Sequence, residues 1–387
     1  MAAVLSDISK WFWNPRFWLP GNSTWEDLVS ESENEYYPSV RDIFLPSIGL
    51  GLVLLVVRFL LARLIVIPAG RYFGIKEPKK HHVAENPVLE AAFKKSKSPD
   101  ANAVLELSKK TGMTERQVQR WIRMRNNRDA PSTMKKFEDC SWHFLFYVVL
   151  FWYGIYTLWD KPWFAKTINC WVGWPKQPIT DDVYWYYAVE LGFYWSLLFS
   201  LSTDHKRKDF TEMVTHHLVT IALIFFSFVV NFVRIGTLVL NVHDAVDYFL
   251  AAAKLAGYLK KEMLSTGLFV LFLLVWIATR LIIYPFVVVY SASVESDLIP
   301  GSRGSYPFVF FNGLLYILQI LHIIWTYMII KIAYRKVTQG QMNDVRSDSE
   351  GDVGDITDED EHKMVNNNGN ENNLRTRSKG RGDRGHQ

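Results

Sequence analysis

Cysteine is nearly absent: Cys140 and Cys170 are the two present among 387 residues. That excludes a disulfide framework, and no Cys/His spacing of a zinc module occurs. The first residues lack both a basic start and a continuous apolar region, so no cleavable leader is expected and the first long apolar run should itself be the anchor. Ten histidines occur, but never as HxxHH or HxxxH, the repeated boxes that hold iron in membrane oxygenases. A strong charge of one sign is also missing. The net +4 says little about partners, and it collects mostly in loops that would face anionic head groups.

What is present is apolar and unevenly spread. The chain is 49% hydrophobic and 15% aromatic, yet its mean hydropathy is +0.01, because very apolar runs alternate with very polar connectors. A bilayer core needs about 20 apolar residues in a helix. Seven runs qualify, starting near Ile43, Trp142, Val183, Glu212, Arg234, Leu264 and Tyr306. The expected fold is all-α and polytopic, with about seven transmembrane helices (six to eight as the range) and a small soluble helical module. The expected divisions are an N-terminal segment (1–42), a first membrane helix (43–67), a cytosolic region (68–139), a membrane domain (140–336) and a disordered tail (337–387).

Basic residues fall in alternate loops: Arg71, Lys76, Lys79 and Lys80, then Lys206 to Lys208, then Lys260 and Lys261, then Lys331, Arg335 and Lys336. By the positive-inside rule this predicts an outside N-terminus and a cytosolic C-terminus. The sequon at Asn22 then lies on the side where glycosylation occurs, and Cys140 and Cys170 lie on opposite sides of the second span. In the acidic tail Ser347 and Ser349 each have an acidic residue three positions later, a candidate phosphorylation pattern, although solubilising sequence is the commoner reading.

In the soluble region Thr114 and Gln117 form a capping box, followed by Val118, Trp121, Ile122 and Arg125 at helical spacing. This resembles the last two helices of a homeodomain. The resemblance implies major-groove DNA binding, but the position that reads adenine, three residues after the tryptophan, is Met124, which makes no bidentate contact. The stretch Asn86 to Pro99, where a first helix belongs, is short and interrupted by prolines. A basic helix facing a membrane surface or a partner ranks above DNA binding, and Asn126 and Asn127 support the latter weakly.

Ionisable side chains at membrane depth cost about 2.5 to 3.5 kcal/mol each on insertion scales and usually mark function. The fourth run carries His216 and His217, which point about 100° apart on a helix. The fifth carries His243, Asp244 and Asp247, which share a broad face. His216 lies about 9 Å from Phe210, and Asp247 about 15 Å from Gly257, by helical rise. The two groups thus reach similar depths and are expected to form one site, in which a carboxylate opposite a histidine fixes its tautomer. The alternative is polar glue between helices; so many titratable groups favour chemistry. His322 and Gln319 on the last run read as helix packing. A single zinc held by His216, His217 and His243 lacks ligand spacing, so no metal is expected. Lys206, Arg207 and Lys208 precede the helix of the histidine pair, a natural seat for phosphates, although positive-inside topology alone would also explain them.

Taken together, DHKRKDF, the His-His pair, N-x-x-R-x-G at Asn231 to Gly236 and H-D-x-x-D are similar to the Lag1 motif of ceramide synthases, in the Tram-Lag-CLN8 superfamily. The similarity extends to FWNPRFWLPGNSTW, the homeodomain-like segment, WDKPWF at 159–164 and RSDSE in the tail. It implies N-acylation of a sphingoid base by acyl-CoA, giving ceramide or dihydroceramide in the endoplasmic reticulum membrane. It implies no cofactor beyond acyl-CoA as co-substrate, and homodimers or heterodimers with related synthases. On that carry-over His216 is the base, or in a two-step version the nucleophile that takes the acyl group. His217 supports it, Asp244 and Asp247 orient imidazole or receive the amine, and His243 stands beside them. Lys206, Arg207 and Lys208 hold the acyl-CoA phosphates, and Arg234 and Lys254 contact substrate. One departure stands out: the family pattern Leu-Glu-Ala-x-Lys is here Leu250 to Lys254 with Ala251 in place of the glutamate. That loss supports a second reading, a catalytically impaired relative that senses lipid or binds partners. The family is thought to set acyl length in the loop at about Ser291 to Ser305, whose sequence names no length.

Overall fold

In the computed structural model, residues 2–21, 23–29, 36–75, 84–129, 131–201, 209–298 and 306–339 are described, and every regular element among them is helical. After a short amphipathic α1 (Ala2–Phe12) comes the long α2 (Val40–Tyr72). Three short helices follow: α3 (Pro87–Lys95), α4 (Ala101–Thr111) and α5 (Glu115–Asp129). Six long ones complete the chain: α6 (Thr133–Leu158), α7 (Asp181–Leu201), α8 (Phe210–Val229), α9 (Val233–Tyr258), α10 (Glu262–Leu298) and α11 (Tyr306–Gln339).

Among the described residues five of these, α2, α6, α8, α10 and α11, are long and apolar enough to cross a membrane. The remaining two expected spans, α7 and α9, have comparable length but carry Glu190 in one and Arg234, His243, Asp244, Asp247 and Lys254 in the other. The protein is thus an all-α polytopic membrane protein in which the two long helices that fall short on hydropathy carry Glu190, His243, Asp244 and Asp247 in their interiors. Both are covered. α9 packs between α6 and α10, and α7 lies along α2. The α2–α7 contact is backbone-close: a Cβ on Gly51 would stand 2.9 Å from the Gly192 carbonyl oxygen. Such small-residue seams are how helices associate where no hydrophobic force separates them from lipid.

One end of the bundle is bound by aromatic and amide contacts. Trp18 stacks on Phe226 of α8 at 5.2 Å and meets Phe310 of α11 edge-on at 5.7 Å, tying the N-terminal segment to two helices. The Trp171 indole donates to Ser291 Oγ at 3.0 Å, and that of Trp174 to the Val230 carbonyl at 2.9 Å. Within α10 the turns widen to π-helix over Ile277–Val289, the stretch that carries Arg280 and Tyr284.

The soluble module differs from expectation in its first helix. Pro87 does not break a first helix but begins one, at the position where a missing N–H costs nothing, with the Asn86 side chain accepting from Val88 and Leu89. The apolar face of α5 is turned inward: Val118, Trp121 and Ile122 are buried with Leu89, Phe93, Val104 and Leu107. That face is therefore spent on the module's own core and is not free to lie on a membrane. The capping box forms as expected, the Thr114 amide donating to Gln117 Oε1 at 2.8 Å and the Gln117 amide to Thr114 Oγ1 at 3.3 Å. Arg125 pairs with Glu90 at 2.6 Å, closing α5 on α3.

Candidate active site

The site is assembled from α7, α8, α9, α10 and α11. His216 and His217 diverge as adjacent helical residues must, with ring centroids 5.7 Å apart, yet each lies 6.1 Å from the Tyr194 ring of α7. His216 turns toward α11, where Trp325 meets it edge-on at 5.3 Å. Nδ1 of each histidine is buried without a hydrogen-bond partner among the described residues.

His243 is oriented differently from the expectation. Its Nδ1 lies 2.7 Å from the Val239 carbonyl. A carbonyl only accepts, so Nδ1 carries the hydrogen and Nε2 presents the lone pair. A main-chain carbonyl, not a carboxylate, thus fixes this tautomer. The ring packs against Tyr284 and His322, each at 5.2 Å, and its Nε2 has no partner. His322, read from sequence as helix packing, stands inside this cluster at 1% exposure.

The two aspartates of α9 part company. Asp247 meets Arg280 of α10 at 3.5 Å, and the same guanidinium donates to the carbonyls of Val242 at 3.0 Å and His243 at 2.8 Å. Arg280 thus pins the turn of α9 that carries the site. Asp244 faces α7 instead, where its carboxyl meets that of Glu190. Among the described residues no three His, Cys, Asp or Glu side chains converge in a metal-holding group.

From this cluster a narrow cavity of about 50 Å³ runs toward the aromatic end of the bundle. Tyr194, His243 and Asp244 stand at one end, and Trp171, Phe232 and Phe308 line it along with Leu223, Leu240 and Leu315. The titratable groups stand at one end of this largely apolar chamber, whose lining also includes Tyr187, Thr220, Ser227 and Asn312, an arrangement that fits a molecule with a reactive head and a hydrocarbon tail.

Two expected substrate-binding residues are not brought to this cluster. Arg234 holds the connection before α7, donating to the carbonyls of Asn169 at 3.0 Å and Val172 at 3.4 Å, and lies over the Trp163 ring at 4.8 Å. The whole N-x-x-R-x-G motif is structural here. Asn231 adopts a left-handed φ of 61° and donates to Pro175 and Gln177, both at 2.7 Å. Gly236 lies where a Cβ would overlap the Tyr187 hydroxyl. Lys254 stands near His143 of α6, toward the end of the bundle next to the soluble module. Lys206, Arg207 and Lys208 lie outside the described residues, as do Asn22, Ser347 and Ser349.

Comparison with known proteins agrees with the site. The TLC domain matches residues 136–331, which span every helix of the cluster, and a homeodomain matches residues 81–129. The first match places the chain among the TLC-domain membrane proteins. Ceramide synthase 5 of Homo sapiens is 43% identical over 348 residues, covering 89% of this chain and 88% of its own. Ceramide synthase 4 of Homo sapiens is 40% identical over 90% of this chain and 88% of its own length, and Ceramide synthase hyl-1 of Caenorhabditis elegans 33% identical over 88% and 84%. The chain belongs to the ceramide synthase family.

Proposed function

We propose that this protein is an acyl-CoA-dependent N-acyltransferase that joins a fatty acyl group to the amine of a sphingoid base, giving ceramide or dihydroceramide. The observation that carries the reading is the chamber itself: an apolar cavity that ends on His243, Asp244 and Tyr194, one helix away from the His216–His217 pair. The reaction needs a seat for a hydrocarbon tail and, at its head, groups that accept a proton from an amine attacking a thioester. Neutral imidazoles are suited to that task.

In this reading His216 acts on the reacting centre, as general base or as the nucleophile that accepts the acyl group, and His217 supports it. The free Nε2 lone pair of His243 and the carboxyl of Asp244 stand at the amine, while Asp247 is held by Arg280. The chemistry runs on these side chains without metal or other cofactor. The loop of Lys206, Arg207 and Lys208 holds the CoA phosphates. The seven long helices all cross the endoplasmic reticulum membrane, with the N-terminus lumenal and the C-terminus cytosolic.

The test is expression in cells lacking their own ceramide synthases, with ceramides of every acyl length measured by mass spectrometry, beside His216→Ala and Ala251→Glu. New ceramide that vanishes in His216→Ala and survives a chelator is the expected result. Ceramide from Ala251→Glu alone identifies the natural chain as an impaired relative. No ceramide from any well-expressed form overturns the enzyme reading. Trapping acyl-protein from acyl-CoA without base separates the two-step from the direct route.

A further inference from the structure

Glu190 belongs to none of the sequence motifs, and packing alone does not explain it. It is fully buried in the middle of α7, and neither carboxyl oxygen receives a donor from a described N–H or O–H. Burying an ion costs several kcal/mol, so an aliphatic residue would serve packing better. Its polar neighbour is the Asp244 carboxyl, and Asp244 Oδ2 likewise has no N–H or hydroxyl donor. Carboxylate oxygens only accept, so two of them bond only with a proton between. At least one proton must therefore lie between them, and a single one leaves the pair one vacancy. Facing it are Tyr147 from α6, Tyr186 and Tyr194 from α7, Asp247 from α9, and Arg280 from α10. Asp244 lines the cavity, and Glu190 does not.

We propose that Glu190 is a positioning residue that, by sharing a proton with Asp244, keeps Asp244 ready to take the proton a long-chain ammonium must lose before it attacks the thioester. The inference rests on the N-acyltransferase reading above. In the step, the ammonium N–H bond breaks, its electrons remain on nitrogen as the lone pair, and the proton passes to Asp244. The free amine then attacks the thioester carbonyl: the N–C bond forms, the C–S bond breaks, and sulfur leaves as thiolate. A histidine carries the second N–H proton to that sulfur, giving the CoA thiol. The pair returns its extra proton to water after product leaves.

The experiment uses the purified full chain and two acceptors of equal chain length: a sphingoid base, which arrives as an ammonium, and an alkoxyamine, whose nitrogen is unprotonated at neutral pH and bypasses the first proton transfer. Glu190→Gln keeps size and a hydrogen bond to Asp244 but removes the second carboxyl. At the lower end of general acid–base effects, it should cut kcat with the ammonium by about 10- to 100-fold, the alkoxyamine by under about three-fold, and leave KM for acyl-CoA within about two-fold. Glu190→Asp, which keeps a carboxyl, should restore most of the lost rate. Equal losses with both amines, or no loss, in a Glu190→Gln chain that elutes like the wild type overturns the proposal. If Glu190→Gln does not fold, the same comparison is read from Glu190→Asp, expected to lose more with the ammonium; equal losses overturn it. A wild type inactive with both amines overturns the acyltransferase reading instead.

Discussion

Replacing Arg280 with methionine tests whether one cation organises the site. Its side chain is 4% exposed, lies 3.5 Å from Asp247, donates to two successive carbonyls of α9, and has its guanidinium carbon 5.5 Å from the Trp276 ring centroid. Opposite unit charges at that separation attract by about 5 kcal/mol at an effective dielectric of about 20. Removing one member of a buried pair typically costs about 3–5 kcal/mol, because the other charge is left behind. Arg280→Met should therefore destabilise by about 3–5 kcal/mol, lowering the thermal midpoint by roughly 5 to 15 degrees on the scale of larger chains. Asp247→Asn in the same chain removes the stranded charge, so the double variant should recover about 1–3 kcal/mol relative to the sum of the single losses. Arg280→Lys should fall between, since a point charge does not bridge two carbonyls and a carboxylate together. The assay is retention of the monodisperse peak after a heat challenge in detergent, run on the four variants beside the wild type, with amide formation measured in parallel. A single variant within a degree of wild type, or a double variant whose losses simply add, refutes the reasoning.

Three further expectations follow from separate parts of the molecule. Gly236→Ala drives a methyl into the Tyr187 hydroxyl, which sits 3.2 Å from both Ser227 Oγ and the Val233 carbonyl. Overpacking of this kind costs about 1–3 kcal/mol, and an unchanged heat profile would contradict it. Trp121→Ala empties the module core and should cost about 3–5 kcal/mol, exposing residues 84–129 to limited proteolysis while the membrane helices stay resistant; equal resistance would show that Trp121 does not hold the module. Trp171→Ala lengthens the far end of the cavity, and the ceramide profile should shift toward longer acyl chains. An unchanged profile would mean that the tail lies elsewhere.

The helical class was legible because length and hydropathy are local quantities, and helical rise, equally local, is what put the His216–His217 pair and the His243, Asp244 and Asp247 group at similar depths. The partners on other helices were not. Glu190, Arg280 and His322 each stand singly in an apolar run, without a motif around them. The rule that flagged the histidine pair, an ionisable group at membrane depth, applied equally to Glu190 and Arg280 and would have found both. Arg234 misled for the opposite reason: it lies in a strong motif, yet its bonds are to carbonyls of the connection before α7, and only the folded chain shows that the motif's work there is architectural. Pro87 misled because a proline breaks a helix interior but begins a helix at its first turn, and the difference depends on where Asn86 caps.

The division of polarity among the long helices bears on how the chain is made. Among the described residues α7 and α9 hold the carboxyls of the site and are the two long helices that do not qualify as spans by hydropathy. A helix entering lipid alone must leave such groups facing hydrocarbon. α7 lies along the strongly apolar α2, which precedes it in the chain, and α9 between α6, which precedes it, and α10, which follows it. Each polar helix thus has an apolar partner that precedes it in the chain, α2 for α7 and α6 for α9, with α10 covering α9 from the other side. The residues that make the site thus depend on α2, α6 and α10 for their cover, and a substitution in those helices far from the cavity is expected to disturb the site by uncovering α7 or α9.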